Sequence, residues 1–377
     1  MKILQAKRKS KNDWIFTSKK EPLQKPLVLV FGNRHAFEKN KIHDEVVSLF
    51  PDGHIVYGST SGEILEDSVY DGSIVLTAIQ FEKSNFIINR ENVLSFDNDI
   101  RALGNALMKG LSLDDLKHVL VISEGSSVNG STLIDAIEEI VDKEVSISGG
   151  LCGDDARFEK TLASYNEEPK IGEVIVIGFY GDTLEITAAN YGGWTGFGPE
   201  RVVTKSEGNI LYEIDGQPAL DLYKTYLGDK ANDLPQAALL YPLKVWSKID
   251  EEPIVRTILN IDEEQNSMIL AGDVPQESRV QLMMATVDDI VEGASEAAKY
   301  AMRDRKNNPE LAILVSCVGR KLVMDQRTEE EIEEVSHTIG ADAKITGFYS
   351  YGEIAPFAGQ SKCQLHNQTM TLTLFSE

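Results

Sequence analysis

The sequence predicts an α/β fold: repeated strand-helix-strand units in mixed sheets, arranged as N-terminal and C-terminal halves with hairpin insertions. Three observations carry this. First, an apolar strand runs through small residues to a glycine and an acid at Val56–Ile64 (VYGSTSGEI), Val145–Phe158 (VSISGGLCGDDARF) and Ile345–Pro356 (ITGFYSYGEIAP). Second, each of these follows another apolar strand, at Leu27, Val119 and Ala312, by roughly thirty residues, so one unit recurs along the chain. Third, strand-like runs alternate with segments of 3.6-residue apolar period. Glycines clustered beside a strand allow positive φ and close approach of a ligand or a second chain.

Composition narrows the class. A chain of 377 residues has length for two or three domains and large cores. Its 42% hydrophobic and 26% charged residues are those of a globular protein. The net charge of −23 argues against nucleic acid and anionic membrane surfaces as partners. That acid is spread along the chain, as a solvated surface would have it. The first residues, MKILQAKRK, contain no apolar signal core, and no run approaches the ~18 apolar residues of a membrane span. Cys152, Cys317 and Cys363 are odd in number and widely spaced, which suits a reducing, cytoplasmic location.

In order, residues 1–25 are rich in Lys and Ser and read as a partly ordered lead-in. Strand Leu27–Phe31 leads to a helix over Ala36–Phe50, stopped by Pro51-Asp52-Gly53, and then to strand Ile55–Tyr57. Ser73–Ile79 and Asn85–Ile88 are strands, and Asp97 or Asn98 caps a helix ending at Lys109-Gly110. The second unit has strand Val119–Ser123 and a helix whose face is Leu133, Ile134, Ile137, Ile140 and Val141. Strands Glu173–Phe179 and Thr183–Ala189 precede a glycine-aromatic crossing, Tyr191–Pro199, between domains spanning 26–198 and 199–377. Arg201–Lys205 with Asn209–Ile214 and Pro253–Ile261 with Ser267–Ala271 are hairpins, and Arg279–Ala285 is a further strand. Between the hairpins a helix starts at Pro218 and stops at Gly228. Thr286 with Asp289 caps a helix of buried alanines, Ala294, Ala297, Ala298 and Ala301, beside Ile290. Strand Leu311–Ser316, a helix capped by Thr328 with Glu331, and a long strand Gln364–Phe375 complete the third unit.

An ordered set of motifs runs through the chain. It comprises Ser59-Thr60-Ser61-Gly62-Glu63-Ile64, Gly149-Gly150-Leu151-Cys152-Gly153-Asp154, Gly193-Trp194, Asp215-Gly216-Gln217-Pro218-Ala219, Gly347–Ile354 and His366-Asn367-Gln368-Thr369. Over roughly residues 27 to 375 the chain resembles the FIST-domain proteins, sensory modules with a FIST-N half (26–198 here) and a FIST-C half (199–377). Departures are small: Tyr57-Gly58 where Gly-Cys is expected, Cys152 where Ala is expected, and Ser278 for Gly. The resemblance implies a cytosolic sensor that binds a small ligand. It also resembles the stand-alone branch known as haem-binding nitric oxide sensors; amino acids or similar metabolites are the alternative ligand. No fused output domain follows, so the implied partner is a separate histidine kinase or cyclic-dinucleotide enzyme.

The residues placed in the ligand site are Thr60, Gly62, Glu63, Gly149, Gly150, Asp154, Trp194, Ser350, Gly352 and Glu353. The acids after the glycines either bind a ligand amine, act as general acid and base (Asp154 with Glu63, the enzyme alternative), or cap and pair locally. Trp194 is either a pocket wall or a plug between halves. Haem needs a neutral axial His in an apolar pocket. His366 is the candidate, because alternation puts it on one face with Met370, Leu372 and Leu374. His35, His54, His118 and His337 read as surface residues and His43 as half-buried. Cys363 and His366 form a lone C-x2-H pair, too few ligands for zinc.

Overall fold

The structure, a computed structural model, describes residues 1–247, 253–358 and 362–377. The first unit contains β1 (Lys2–Ser10), β2 (Asp13–Phe16), β3 (Leu27–Asn33), α1 (Arg34–Lys39), α2 (Ile42–Leu49), β4 (His54–Thr60), β5 (Glu63–Leu65), β6 (Ser68–Tyr70) and β7 (Ile74–Gln80). The second contains β8 (Asn85–Asn92), α3 (Ile100–Lys109), β9 (Leu116–Ser123), α4 (Gly130–Glu138), β10 (Ser146–Leu151), β11 (Ala163–Tyr165) and β12 (Glu173–Tyr180). The third opens with β13 (Glu185–Tyr191). It is interrupted by an insertion of β14 (Thr195–Glu207), β15 (Ile210–Ile214), β16 (Gln217–Pro218), α5 (Ala219–Leu227), β17 (Leu243–Trp246), β18 (Ile254–Arg256), β19 (Ile258–Asp262), β20 (Ser267–Leu270) and β21 (Arg279–Met284). It resumes with α6 (Val287–Met302), β22 (Leu311–Cys317), α7 (Val318–Met324), α8 (Glu329–Ile339), β23 (Lys344–Ser350), β24 (Gly352–Pro356), β25 (Cys363–His366) and β26 (Met370–Ser376).

The recurring unit is visible in the sheets. Each has a parallel pair joined by helices (β3/β4, β9/β10, β22/β23), then a closing antiparallel strand (β7, β12, β26) and an opening one (β1, β8, β13). These pairs are buried on both faces, so they read as continuous apolar runs. The strand that follows each pair leaves its own unit. β5 joins β23 in the third sheet, β11 joins β4 in the first, and β24 joins β10 in the second. The exchange closes a cycle, and three backbone hydrogen bonds fix it at the crossing: Ser61 N to Tyr349 O (2.8 Å), Tyr351 N to Leu151 O (3.1 Å) and Gly153 N to Ser59 O (2.8 Å). The insertion forms its own eight-stranded sheet.

Several expectations change. The lead-in is a hairpin, β1 with β2, at the edge of the first sheet. Leu4 and Ala6 are buried there, and Gln5 donates to the Ile345 carbonyl at 2.7 Å. The helix over 36–50 is two helices, parted where Asn40 turns extended and its amide donates to Ala36 O. The strand expected over 253–261 breaks at Thr257 into β18 and β19, in separate parts of the inserted sheet. The strand expected over 364–375 breaks at Gln368, whose φ of 64° turns the chain from the second sheet (β25) into the third (β26). The proposed boundary at 198/199 falls inside β14.

The glycines read as turns at Gly149-Gly150 are mid-strand residues of β10. Gly149 has φ +139°, and a Cβ there would lie 1.9 Å from the Val121 carbonyl; Gly347 stands in the same relation to Leu314. The Thr286–Asp289 capping box is present. Thr328, by contrast, is already helical and bonds the Asp325 carbonyl, while Glu331 turns into the core.

Candidate functional site

The carboxyl ends of β4, β10 and β23 meet at the crossing, the end of a parallel sheet at which α/β folds hold ligands. The ring of hydrogen bonds makes Ser61, Gly153 and Tyr351 equivalent, so the acids two residues on, Glu63, Asp155 and Glu353, are equivalent as well. In the first unit Glu63 is fully buried. It accepts from Thr60 Oγ1 (2.6 Å) and from the hydroxyl and backbone N–H of Ser73 (2.6 and 3.1 Å). In the third unit Glu353 accepts likewise from Ser350 Oγ (2.5 Å) and from the N–H and hydroxyl of Thr369 (3.2 and 3.1 Å). Burial lifts the two carboxyls to about 7 and about 8 against these donors.

The second unit breaks the pattern. Cys152 stands where Thr60 and Ser350 stand, and Glu173 stands where Ser73 and Thr369 stand, so both hydroxyl anchors are lost. Asp155 turns outward instead, with φ +50° and its side chain 34% exposed. Asn33 Nδ2 (2.9 Å) and Arg157 (2.7 Å) both reach its Oδ2, and among the described residues nothing is seen to reach Oδ1.

Asp155 lines a cleft of about 590 Å³ together with Asn33, Ser61, Asp71, Lys321 and Glu329. Lys321, from α7, donates to the Ser61 carbonyl at 2.8 Å and pairs with Asp71. Gly62 passes beneath it: a Cβ there would lie 2.6 Å from Lys321 Nζ. With Asp325 the lining carries four carboxylates against one ammonium, and even with the Arg157 guanidinium paired to Asp155 the balance stays negative and favours a cation. A second cleft of about 410 Å³ lies between Ala156, Phe158 and Leu322 of the three-unit body and Pro235, Leu239, Leu240 and Leu259 of the insertion. A third, of about 380 Å³, runs past Ser126, Ser127, Asn129 and the stacked pair Phe158–Tyr351, whose ring centroids are 4.4 Å apart.

The residues placed in the site from sequence sit one layer below these clefts. Thr60, Glu63, Ser350 and Glu353 close internal networks. Asp154 is buried between Arg34 (2.8 Å) and Arg157 (2.6 Å); burial would raise its carboxyl, and the two guanidiniums hold it below its ordinary value. Gly150 lets the second sheet close on Val315 of the third, and Gly352 packs against Leu365. Trp194 is half-buried, its Nε1 donating to Gln368 O at 2.9 Å, and it lines none of these clefts. Asp155 is next to the expected acid, and only the missing hydroxyl at position 152 marks it in sequence. Lys321 lies on a short helix with no motif around it.

The residues around His366 do not fit haem. Its burial is as expected, but not through a face shared with Met370, since β25 and β26 lie in different sheets. Its Nε2 donates to the Ala355 carbonyl at 3.0 Å, and it lines none of the clefts described above. Burial, with Arg256 nearby, lowers its pKa to about 3. His118 is buried rather than exposed, held between Ser146 Oγ (2.7 Å) and Ser148 Oγ (2.9 Å).

Comparison with known proteins identifies the family, and the boundary between its two matched domains falls within the insertion. The FIST N domain matches residues 26–217 and the FIST C domain matches residues 219–356. An uncharacterized protein of Methanocaldococcus jannaschii is 26% identical over 224 residues, covering 54% of this chain and 42% of that protein. The chain thus spans less than half the length of that relative. No helix among the described residues is long and apolar enough to cross a membrane. The chain belongs to the FIST family of sensory, ligand-binding signalling domains.

Proposed function

We propose, with membership of the FIST family as the premise, that this protein senses a small ligand bearing a cationic group, of the amino-acid or amine class, in the cleft at Asp155. The observation that carries the reading is the broken equivalence. Two of three matching carboxyls are buried and saturated, and the third presents an oxygen to a cleft with an excess of negative charge. An ammonium beside that carboxylate gains Coulomb energy, reduced by solvent screening and by the Arg157 guanidinium already on Oδ2. Binding shifts the packing of the insertion on the body, and a histidine kinase or cyclic-dinucleotide enzyme supplied as a separate chain reads the shifted surface.

The rival haem and nitric oxide reading lacks support from the surroundings of His366. The acid/base reading of Asp154 with Glu63 lacks a cleft that reaches either carboxyl.

The test is a thermal-shift and calorimetry panel of amino acids and amines on the full chain at pH 7. At least one ammonium compound should raise the melting temperature, and Asp155→Asn should weaken its binding about tenfold or more, a 1.4 kcal/mol loss. Equal binding by Asp155→Asn would sink the site. A Soret band from added haem that vanishes in His366→Ala would move the reading to haem.

A further inference from the structure

The charged cleft and the apolar cleft adjoin one another. Ala156 and Leu322 line both, and Asp155 and Arg157 flank Ala156 in the chain. The charged end belongs to the three-unit body, whereas the far wall of the apolar end belongs to the insertion through Pro235, Leu239, Leu240 and Leu259. Leu322, at the junction, leaves 40% of its surface in water, a large apolar side chain with nothing over it among the described residues.

We propose that the ligand is amphipathic: its ammonium lies at Asp155 and a bulky apolar tail, aromatic or branched aliphatic, fills the chamber between body and insertion. This rests on the head-group site proposed above and adds the part of the ligand that selects it. Size supports the assignment, since an apolar cavity of about 150 Å³ already holds benzene; this chamber, at about 410 Å³, is larger. Charge supports it too. Arg157, which lines the apolar chamber and is held by Asp154 through Nε and Nη2 and by Asp155 through Nη1, places a fixed guanidinium at the junction, where the carboxylate of an α-amino acid would fall between ammonium and side chain.

The tail is then the part of the ligand that touches both bodies. A head group alone would contact only the body. Occupancy of the apolar chamber links the body loop 156–158 to the insertion's 235–240 segment. That segment is already tied to the body through Gln368, whose amide donates to Leu239 O at 2.9 Å. The molecule thereby distinguishes ligands that merely fit the charge from those that draw the insertion down.

The experiment is calorimetry of the full chain with glycine, L-phenylalanine, L-leucine and 2-phenylethylamine, repeated on Leu259→Glu and Leu259→Met. Leu259 is half-buried at the chamber wall, and the methionine variant controls for misfolding. The expected result is phenylalanine or leucine binding at least about tenfold tighter than glycine, with that preference abolished by Leu259→Glu, kept by Leu259→Met, and glycine unchanged throughout. Equal affinity for glycine and phenylalanine in the native chain overturns the tail assignment and leaves the head-group site standing. A preference that survives Leu259→Glu overturns the chamber. Binding of none of the four overturns both. 2-Phenylethylamine matching phenylalanine would remove Arg157 from the assignment.

Discussion

Glu353 shows how a single buried carboxyl makes the whole protein sensitive to pH. The native state keeps its proton to about pH 8, whereas the unfolded chain releases it near the ordinary value of 4.5. Between those values the native state binds more protons, so this group's contribution to stability declines as pH rises through that window and levels off above it. At the steepest, one such group costs about 1.4 kcal/mol for each pH unit. Glu353→Gln retains hydrogen-bonding capacity without a proton to lose. Urea unfolding between pH 6 and 7 should show a dependence flatter than that of the native chain by about that amount. An unchanged slope would mean that Glu353 is ionised in the fold. The Ser-x-Gly-Glu pattern at 350–353 was legible in sequence, as was its likeness to Thr60–Glu63. That both carboxyls are sealed inside was not. Their other donors, Ser73 and Thr369, stand just before the closing strands β7 and β26, ten and sixteen residues on, and no motif marks them.

At the level of elements, α7 and α8 are joined by a buried ion pair that replaces the expected helix cap. Arg320 and Glu331 are fully buried and meet at 2.7 Å. Glu331 also accepts from Tyr349 (2.6 Å) and Ser316 (2.9 Å), and Arg320 donates to the carbonyls of Gly192 and Ile290. The pair therefore ties α7 and α8 to the start of α6 and to the passage into the insertion. Removing one partner strands a buried charge. Glu331→Leu should cost about 3–5 kcal/mol, and adding Arg320→Met should recover much of it, both measured by denaturant unfolding; a loss below about 1 kcal/mol would make the pair incidental. The capping signature Thr328-x-x-Glu331 was plausible from sequence because local patterns do not reveal an arginine eleven positions upstream. The capping box at Thr286 needs nothing beyond its own turn, and sequence and structure agree on it. Likewise, each strand of the parallel pairs was found from its apolar run, while β25 and β26 were fused because one residue, Gln368, makes the break.

On the scale of the molecule, the insertion leaves and rejoins the body at one point. Thr195 and Met284, its first and last strand residues, are direct partners in the ladder of β14 and β21. Replacing 197–282 with a tight two-residue turn should therefore preserve a folded three-unit body, seen as a cooperative melt with near-native circular dichroism of the sheets. The excised form should lose any binding that depends on the apolar chamber. A melt without cooperativity would show that the bonds from Arg256 to Leu365 and from Gln368 to Leu239, which cross the junction, are required for the body itself. The three units were anticipated from their repeated motifs. Their exchange of strands was not, since β5, β11 and β24 are short and carry no mark of which sheet they will join.

That exchange sets a timetable for synthesis. β5 emerges in the first unit, yet its partner β23 belongs to the third, and Glu63 lies opposite Phe348 in the finished ladder. At about 5–20 residues per second, the first sheet's departing strand waits on the order of tens of seconds for a home. No unit can close independently of its neighbours, and β24 and β26, both from the third unit, complete the second and third sheets. The nascent chain thus presents β5 as an unpaired edge until β23 has been made.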